Sequence, residues 1–171
     1  MGWLLMLKAK NAALVIVLAP VLALGTGCGL LPSDPADPPV FGARVDGETI
    51  TVKVPLCPAE RLRRVDVLDF DDTDDETPAS VWWASDPQTR QAKAGVVELW
   101  SGRGFAHHAP APSTVPGNLD VAYTSSSGNG RDDVLPLGKI AKAHLGSGEY
   151  WTHDGPKSAA QIDAELGCDK Q

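Results

Sequence analysis

Short alternating segments separated by turn residues constrain the fold of this chain more than any other feature of its sequence. From residue 40 onward, clusters of Gly, Pro, Asn and Asp interrupt the chain at intervals typical of sandwich folds. Residues 50–54 and 119–124 alternate between apolar and polar side chains, so each segment has one face for a core and one for solvent. Further strand candidates are residues 64–70, 80–84, 95–100 and 149–153. This periodicity predicts a mainly β domain.

Two local signals predict how some of these strands are joined and shaped. Asn129-Gly130 lies between residues 121–124 and 134–137, and this dipeptide is a preferred filling of tight hairpin turns. The flanking strands are therefore predicted to pair. In another strand candidate the apolar positions change phase after Val67, which predicts a β-bulge.

A short helix is predicted near the C-terminus, over residues 158–166. Ser158 and Gln161 have the spacing of a capping box, and Gly167 can adopt the left-handed conformation that ends many helices. Residues 40–171 are thus expected to form a single β-rich domain that finishes with a short helix.

Residues 145–150, with the sequence Leu-Gly-Ser-Gly-Glu-Tyr, resemble the corner that leads into a late strand of immunoglobulin-like sandwiches. The number of strand candidates agrees with this resemblance. We therefore expect an immunoglobulin-like β-sandwich, with a small barrel as the second choice.

Residues 1–27 have the charge order of an export signal. Lys8 and Lys10 precede an apolar run over residues 12–24, and no acidic residue is present. As a helix this run reaches about 20 Å, which is short of the roughly 30 Å hydrocarbon core of a membrane. The alternative is an uncleaved anchor over residues 3–24, which would have to carry both lysines near one interface. The length favours a signal peptide.

The end of this segment, Leu24-Gly25-Thr26-Gly27-Cys28, resembles the lipobox of bacterial lipoproteins. The resemblance implies cleavage before Cys28, acylation of its thiol with lipid such as palmitate, and attachment to the cell membrane on the extracytoplasmic face. An ordinary secretory signal, which would leave a secreted protein, is the alternative. With its Ala, Asp, Gly and Pro bias, the whole chain is similar to lipoproteins of high-GC Gram-positive, actinobacterial type, a resemblance that implies no particular activity.

A spacer rich in proline and aspartate is predicted over residues 28–39, between the lipidated cysteine and the domain. Without Lys8 and Lys10, 13 of the 15 basic side chains remain against 22 acidic ones, a net charge of −9. A chain with this charge has no general electrostatic grip on nucleic acid or on an anionic lipid surface. The predicted contact with the membrane is therefore the lipid anchor alone.

The number of cysteines, three, also supports a lipidated Cys28 followed by a separate folded domain. If Cys28 carries lipid, Cys57 and Cys168 remain as an even pair in an oxidising compartment, and we predict a disulfide between them. Closing a loop of this length is worth about 4–5 kcal/mol in the chain-entropy treatment. The alternative is a metal site, but two cysteines without CxxC spacing match no zinc signature.

An acidic segment follows the strand candidate at residues 64–70. Hard cations such as Ca²⁺ take six to eight oxygen ligands, so a calcium site is one interpretation and a solvated loop is the other. The spacing does not match an EF-hand. The candidate ligands are Asp69, Asp71, Asp72, Asp74, Asp75 and Glu76.

Several aromatic residues are candidates for a binding platform that could stack on a cell-wall glycan or contact an envelope protein. Neighbours on a strand face opposite ways, so Trp82 and Trp83 cannot both enter one core, and neither can Tyr150 and Trp151. The alternative is that the rings cover a sheet edge or a second small core. The candidate ligand-binding residues are Trp82, Trp83, Trp100, Tyr150 and Trp151.

His153-Asp154 could serve a hydrolase if a serine or a metal approached it in the fold. The chain contains no Gly-x-Ser-x-Gly, HExxH or phosphate-loop motif, so we assign no catalytic residue and no cofactor. The leading expectation is a non-catalytic, lipid-anchored extracytoplasmic module that binds an envelope component. A hydrolase using His153 and Asp154 and a calcium-stabilised adhesion module are the alternatives.

Overall fold

Strands dominate the part of the chain described by the structure, a computed structural model, which covers residues 40–71 and 78–168. Ten strands and three short helices lie within these ranges. The strands are β1 (Gly42–Asp46), β2 (Thr49–Lys53), β3 (Leu62–Asp69), β4 (Ser80–Pro87), β5 (Val96–Glu98), β6 (Phe105–His108), β7 (Asn118–Ser125), β8 (Gly130–Pro136), β9 (Glu149–Tyr150) and β10 (Lys157–Ser158). The helices are α1 (Arg90–Lys93), α2 (Leu137–Ile140) and α3 (Ala159–Ala164).

The strands form antiparallel sheets. A three-stranded sheet has the order β1-β2-β5, a five-stranded sheet has the order β6-β4-β3-β7-β8, and β9 pairs with β10. The bridge between Ala43 and Trp151 connects the chain after β9 to β1. The described strands form open sheets rather than a closed barrel.

The two larger sheets share one hydrophobic core. Val52 and Val97 from the three-stranded sheet and Val65 and Val121 from the five-stranded sheet are all fully buried in it. Each of these side chains comes from the apolar face of an alternating strand, as the periodicity predicted. The prediction of a mainly β fold is confirmed, and one core between two sheets is the arrangement of a β-sandwich.

Both local signals in the strands are confirmed. β7 and β8 pair antiparallel from Asn118↔Pro136 to Thr124↔Gly130, so the hairpin is present. Its connection is longer than a two-residue turn and runs over residues 126–129, with Gly130 already in β8 and the positive φ at Gly128. The pairing of β3 with β4 shifts register between Val67 and Leu68, at the phase change. The buried part of β3 ends at this bulge, since Val67 is fully buried whereas Leu68 is only partly buried and Phe70 is 44% exposed.

The C-terminal helix is confirmed together with its cap. The Ser158 side chain and the Gln161 side chain each accept a hydrogen bond from the other's backbone N–H, which is a complete capping box. Ile162 is fully buried and holds α3 against the domain. Gly167, with φ of 58°, ends the helical segment and leads into Cys168.

A disulfide joins Cys57 to Cys168, with the Cα atoms 5.8 Å apart. The predicted pairing is therefore present. The bond fastens the end of the α3 segment to the loop between β2 and β3, 111 residues earlier in the chain.

Lys53 departs from the predicted alternation. Its position in β2 places it on the face opposite to Val52, which the pattern assigns to solvent, yet its side chain is only 1% exposed. The reason is that α3 covers this face. The Lys53 ammonium donates to the backbone oxygens of Val54 at 2.8 Å and Ala94 at 3.0 Å, and to the Asp163 carboxylate.

The export segment, Cys28 and the spacer lie outside the described residues. Within residues 40–71 and 78–168, none of the helices has the length or apolar character of a membrane span.

Candidate functional site

A surface groove rich in positive charge lies at the start of β3, where β4, β7 and α1 border it. Its main part, of about 590 Å³, is lined by Arg61, Leu62, Arg63, Arg64, Ser85, Asp86, Pro87, Lys93, Thr124 and Ser126. An adjoining hollow of about 520 Å³ is lined by Arg61, Arg90, Lys93 and Ala94. Because Arg61 and Lys93 line both, the two parts form one continuous surface. We call these residues together the basic groove.

An irregularity in β3 places two consecutive arginines on the groove. Leu62 and Val65 are buried, whereas Arg63 and Arg64 between them both lie outside the core. Strict alternation would turn one of the two arginines inward. The pairing of β3 with β7 shifts register between Leu62 and Arg64, and this shift allows both guanidinium groups to remain near solvent.

α1 forms the side of the groove next to the arginines of β3. The Thr89 hydroxyl caps this single turn by accepting a hydrogen bond from the Ala92 N–H at 3.2 Å, and the Ala92 side chain is buried. Arg90 and Lys93 are three residues apart, so they share one face of the turn. That face borders the hollow beside Arg61.

Most of the cations in the basic groove have no acidic partner. Arg64 is the exception, since it forms a two-pronged ion pair with Asp66, with Nε 2.7 Å from a carboxylate oxygen, and lies 4.8 Å above the Trp83 ring. In the described part of the chain, no carboxylate lies within salt-bridge distance of four other groove cations, which are Arg61, Arg63, Arg90 and Lys93. Four unneutralised positive charges in a net acidic chain create a local field that attracts anions.

The rest of the lining supplies hydroxyl groups and one carboxylate. Ser85, Thr124 and Ser126 can each donate an O–H, and the Ser126 oxygen already accepts from the Arg61 N–H at 3.1 Å. Asp86 is the single acidic residue among the described lining residues, and its φ of 57° is in the left-handed region. The groove can therefore bind an anion through charge and through hydrogen bonds.

The predicted aromatic platform is divided between different parts of the fold. Trp82 is 1% exposed and packs edge-on against Trp100, with ring centroids 5.8 Å apart, so Trp82 is not available to a ligand. Trp83 faces the other side of the sheet, below Arg64, as strand alternation predicted. Trp100 has a φ of 65°, and its buried Nε1–H has no hydrogen-bond partner among the described residues.

Tyr150 and Trp151 are both partly buried in the β9 region. The Trp151 ring packs edge-on against His153, with centroids 4.9 Å apart, and its backbone pairs with Ala43. Burial raises the pKa of the Tyr150 phenol. A ligand-binding role for these two residues stays a prediction.

The acidic segment is described only in part. Asp71 accepts hydrogen bonds from the backbone N–H of Gly117 and from both the backbone and the side-chain N–H groups of Asn118, and these bonds lower its pKa. Asp69 accepts from the Asp71 N–H at 2.9 Å. Asp72, Asp74, Asp75 and Glu76 lie outside the described residues. Among those that are described, no group of three or more metal-ligating side chains comes together, and a calcium site stays a prediction.

The proposed His153–Asp154 pair does not form. The His153 Nε2 lies 3.1 Å from the carboxylate of Asp133, in β8, while the Asp154 carboxylate accepts a hydrogen bond from Lys157 at 3.1 Å. Asp133 also accepts from the Phe41 N–H at 3.1 Å, so this carboxylate joins three segments of the fold. His153 and Asp154 both lie in a tight turn in which the Thr152 backbone oxygen accepts from the Gly155 N–H at 3.1 Å.

Sequence reasoning missed the basic groove. The available signal was the Arg-Leu-Arg-Arg segment at residues 61–64, which places three arginines in four residues of an acidic chain. The contribution of Arg90 and Lys93 could not be recognised, because only the fold brings α1 beside β3.

Comparisons with protein-family models, with curated proteins and with solved structures found no match for this chain. The fold and the groove define a mainly β protein with two sheets around one core and a cationic binding surface at one end of β3. Its function is therefore argued from its own residues.

Proposed function

We propose that this chain is an exported, lipid-anchored β-sandwich module that binds an anionic component outside the cytoplasmic membrane. The anchor is assigned to Cys28, after a signal peptide over residues 1–27 and before the spacer. The observation that carries the anchor is the Cys57–Cys168 bond. It accounts for two of the three cysteines, so acylation of Cys28 leaves no unpaired thiol in an oxidising compartment.

The basic groove supports binding as the module's activity. Four of its cations have no acidic partner among the described residues, and three hydroxyl groups lie in the same lining, although Arg61 also donates to the backbone oxygens of Pro58 and Glu60. The hydrolase that uses His153 and Asp154 stays an alternative, but the partners of these two side chains, Asp133 and Lys157, do not support it.

Metabolic labelling with an alkyne fatty acid tests the anchor. The full chain, expressed in a bacterium that processes lipoproteins, is expected to incorporate the label and to fractionate with membranes. A Cys28→Ala variant should lose the label, whereas a Cys57→Ala/Cys168→Ala variant should keep it. Label that persists in the Cys28→Ala chain would refute the assignment of the lipid to this thiol.

A further inference from the structure

We propose that the basic groove binds a linear polymer whose units, polyols or sugars, are linked by phosphodiesters. This inference rests on the proposed function, because it names the ligand class of the exported module. It is carried by the cluster of cations without acidic partners in the described residues, by the two adjoining parts of the groove and by the kinds of donors that line it.

The number of charges indicates a ligand with several anionic groups. Arg63 in β3, Arg90 and Lys93 in α1, and Arg61 just before β3 have no carboxylate partner in the described ranges. Arg61 does donate to the backbone oxygens of Pro58 and Glu60, which leave its charge in place. Holding four like charges near one another is unfavourable unless a counter-charge relieves the repulsion. A single carboxylate or phosphate would neutralise only part of the cluster, whereas a chain with regularly spaced anions can place one at each cation.

The shape of the groove indicates an extended ligand. The larger part lies over the start of β3, with residues of β4 on one side and of β7 on the other, and the smaller hollow shares Arg61 and Lys93 with it and adds Arg90. The two volumes, about 590 and 520 Å³, are each far larger than one phosphate group. A linear polymer can occupy both parts at once, and repeated weak contacts along it add up to useful affinity.

The donors favour phosphodiesters over carboxylates. Arginine presents two parallel N–H groups that match two oxygens of either anion. A carboxylate accepts mainly in one plane, whereas the tetrahedral phosphate directs its oxygens to both walls of a groove at once. Here the guanidinium groups of β3 lie in the middle of the lining, and Ser85 and Thr124, each with a hydroxyl, lie opposite Arg64 on the two neighbouring strands.

Nucleic acid and a lipid surface fit the groove less well. Grooves for single-stranded nucleic acid combine cations with aromatic rings on which bases stack. None of the described lining residues is aromatic, since Trp83 lies beneath Arg64 instead of in the lining. A flat anionic membrane is not attracted by the net negative charge of the chain, and it could not enter a groove lined from several elements.

Calorimetric titration tests the proposal with defined probes. The full chain, purified in a nonionic detergent, is titrated with a synthetic hexamer of glycerol phosphate at several salt concentrations. The comparison probes are a neutral glycerol hexamer, hexathymidylate, hexaglutamate and vesicles that contain phosphatidylglycerol. The test variant is Arg63→Glu/Lys93→Glu. The matched control is Lys139→Glu/Lys142→Glu, which makes the same change in net charge at two exposed lysines outside the groove.

The glycerol phosphate hexamer is expected to bind, and the neutral hexamer is not. Binding should weaken as salt rises, and the test variant should weaken it about tenfold or more, with a salt slope reduced by about one for each cation removed. The control variant should change the affinity less than about twofold, and both variants should melt as cooperatively as the parent chain.

Equal affinity for charged and neutral hexamers, or equal losses in the two variants, would overturn the proposal. Tighter binding of hexathymidylate, hexaglutamate or vesicles would assign the groove to that other class. The anchor is tested separately by the fatty-acid label. If Cys28 carries the label but the hexamer does not bind, only the ligand assignment is refuted. If the hexamer binds but Cys28 carries no label, only the anchor is refuted.

Discussion

Lys53 is a buried charge whose hydrogen bonds are all made. Two backbone oxygens and the Asp163 carboxylate accept from its ammonium, so each of its three N–H groups has a partner. Burial lowers the Lys53 pKa, and the contact with Asp163 opposes that shift. Asp163 also accepts from the Leu56 N–H at 2.9 Å, which ties α3 to the chain just after β2.

Removing either partner of this pair should destabilise the domain, and removing Asp163 should cost more. The Lys53 side chain is 1% exposed but that of Asp163 is 36% exposed. Water can therefore solvate the Asp163 carboxylate when Lys53 is removed, but it cannot reach the Lys53 ammonium when Asp163 is removed. We expect Lys53→Met to lose about 2–3 kcal/mol and Asp163→Ala about 3–5 kcal/mol in denaturant unfolding. Lys139→Met, on the surface, should change stability by less than about 0.5 kcal/mol. The reverse order of the two losses would contradict this account.

Tyr123 makes stability depend on alkaline pH. Burial raises its pKa to about 12, from an ordinary value of 10.0. Its contribution is complete below pH 10, where both states keep the proton, and is lost as the pH rises towards 12, because the unfolded chain ionises first. By pH 11.5 the difference should reach about 2 kcal/mol.

The Tyr123→Phe variant isolates this effect. Lys53, whose pKa shift has the opposite consequence, is present in both chains and cancels in the comparison. Urea unfolding at pH 9 and at pH 11.5 should show a smaller loss of stability for the variant than for the parent. Identical losses in the two chains would show that the phenol is not responsible.

At the level of elements, the sequence predicted the strands and turns that are determined by residues close together in the chain. Alternation identified β2, β3 and β7, and the Asn-Gly dipeptide identified the β7–β8 hairpin. The buried position of Lys53 could not be predicted, because it depends on α3, about 110 residues later, covering the polar face of β2. The basic groove depends in the same way on α1 packing beside β3.

α3 should depend measurably on its cap. The Ser158 N–H donates to the Gln161 side chain at 2.8 Å, and this arrangement starts a helix of only six residues. Ser158→Ala removes the hydroxyl that the Gln161 N–H uses and should cost about 1 kcal/mol. Thermal unfolding measures the loss, with Ser147→Ala in an exposed loop as the control. A cap that contributed nothing would give the two variants the same melting temperature.

At the scale of the whole molecule, charge is distributed unevenly. The chain has 22 acidic and 15 basic side chains, yet Arg61, Arg63, Arg64 and Lys93 meet in one groove with a single acidic lining residue. Salt screens the interaction between surface charges that are more than about 10 Å apart. A cluster of positive charges therefore attracts anions nearby even though the chain is negatively charged overall. Because the positive charges are concentrated in the groove, an anionic ligand is attracted to the groove, whereas the net negative charge of the chain opposes its binding elsewhere.

The disulfide is the covalent constraint on the whole domain. Cys57 lies between β2 and β3, and Cys168 follows α3, so the bond closes a loop that contains every described strand and helix except β1 and β2. The native fold has other contacts at both ends of this loop, through Ile162 and Asp163. The bond should therefore act mainly by restricting the unfolded chain.

A Cys57→Ala/Cys168→Ala variant is expected to fold and to be about 2–5 kcal/mol less stable than the oxidised chain. In guanidinium unfolding its midpoint should fall and its dependence on denaturant should steepen, because an open unfolded chain exposes more surface than a crosslinked one. When the parent chain is unfolded in guanidinium with a reductant present, its unfolding curve should match that of the double variant. If the double variant matched the oxidised parent, loop closure would not contribute to stability, and the only effect of pairing these two thiols would be to remove two reactive groups from the chain.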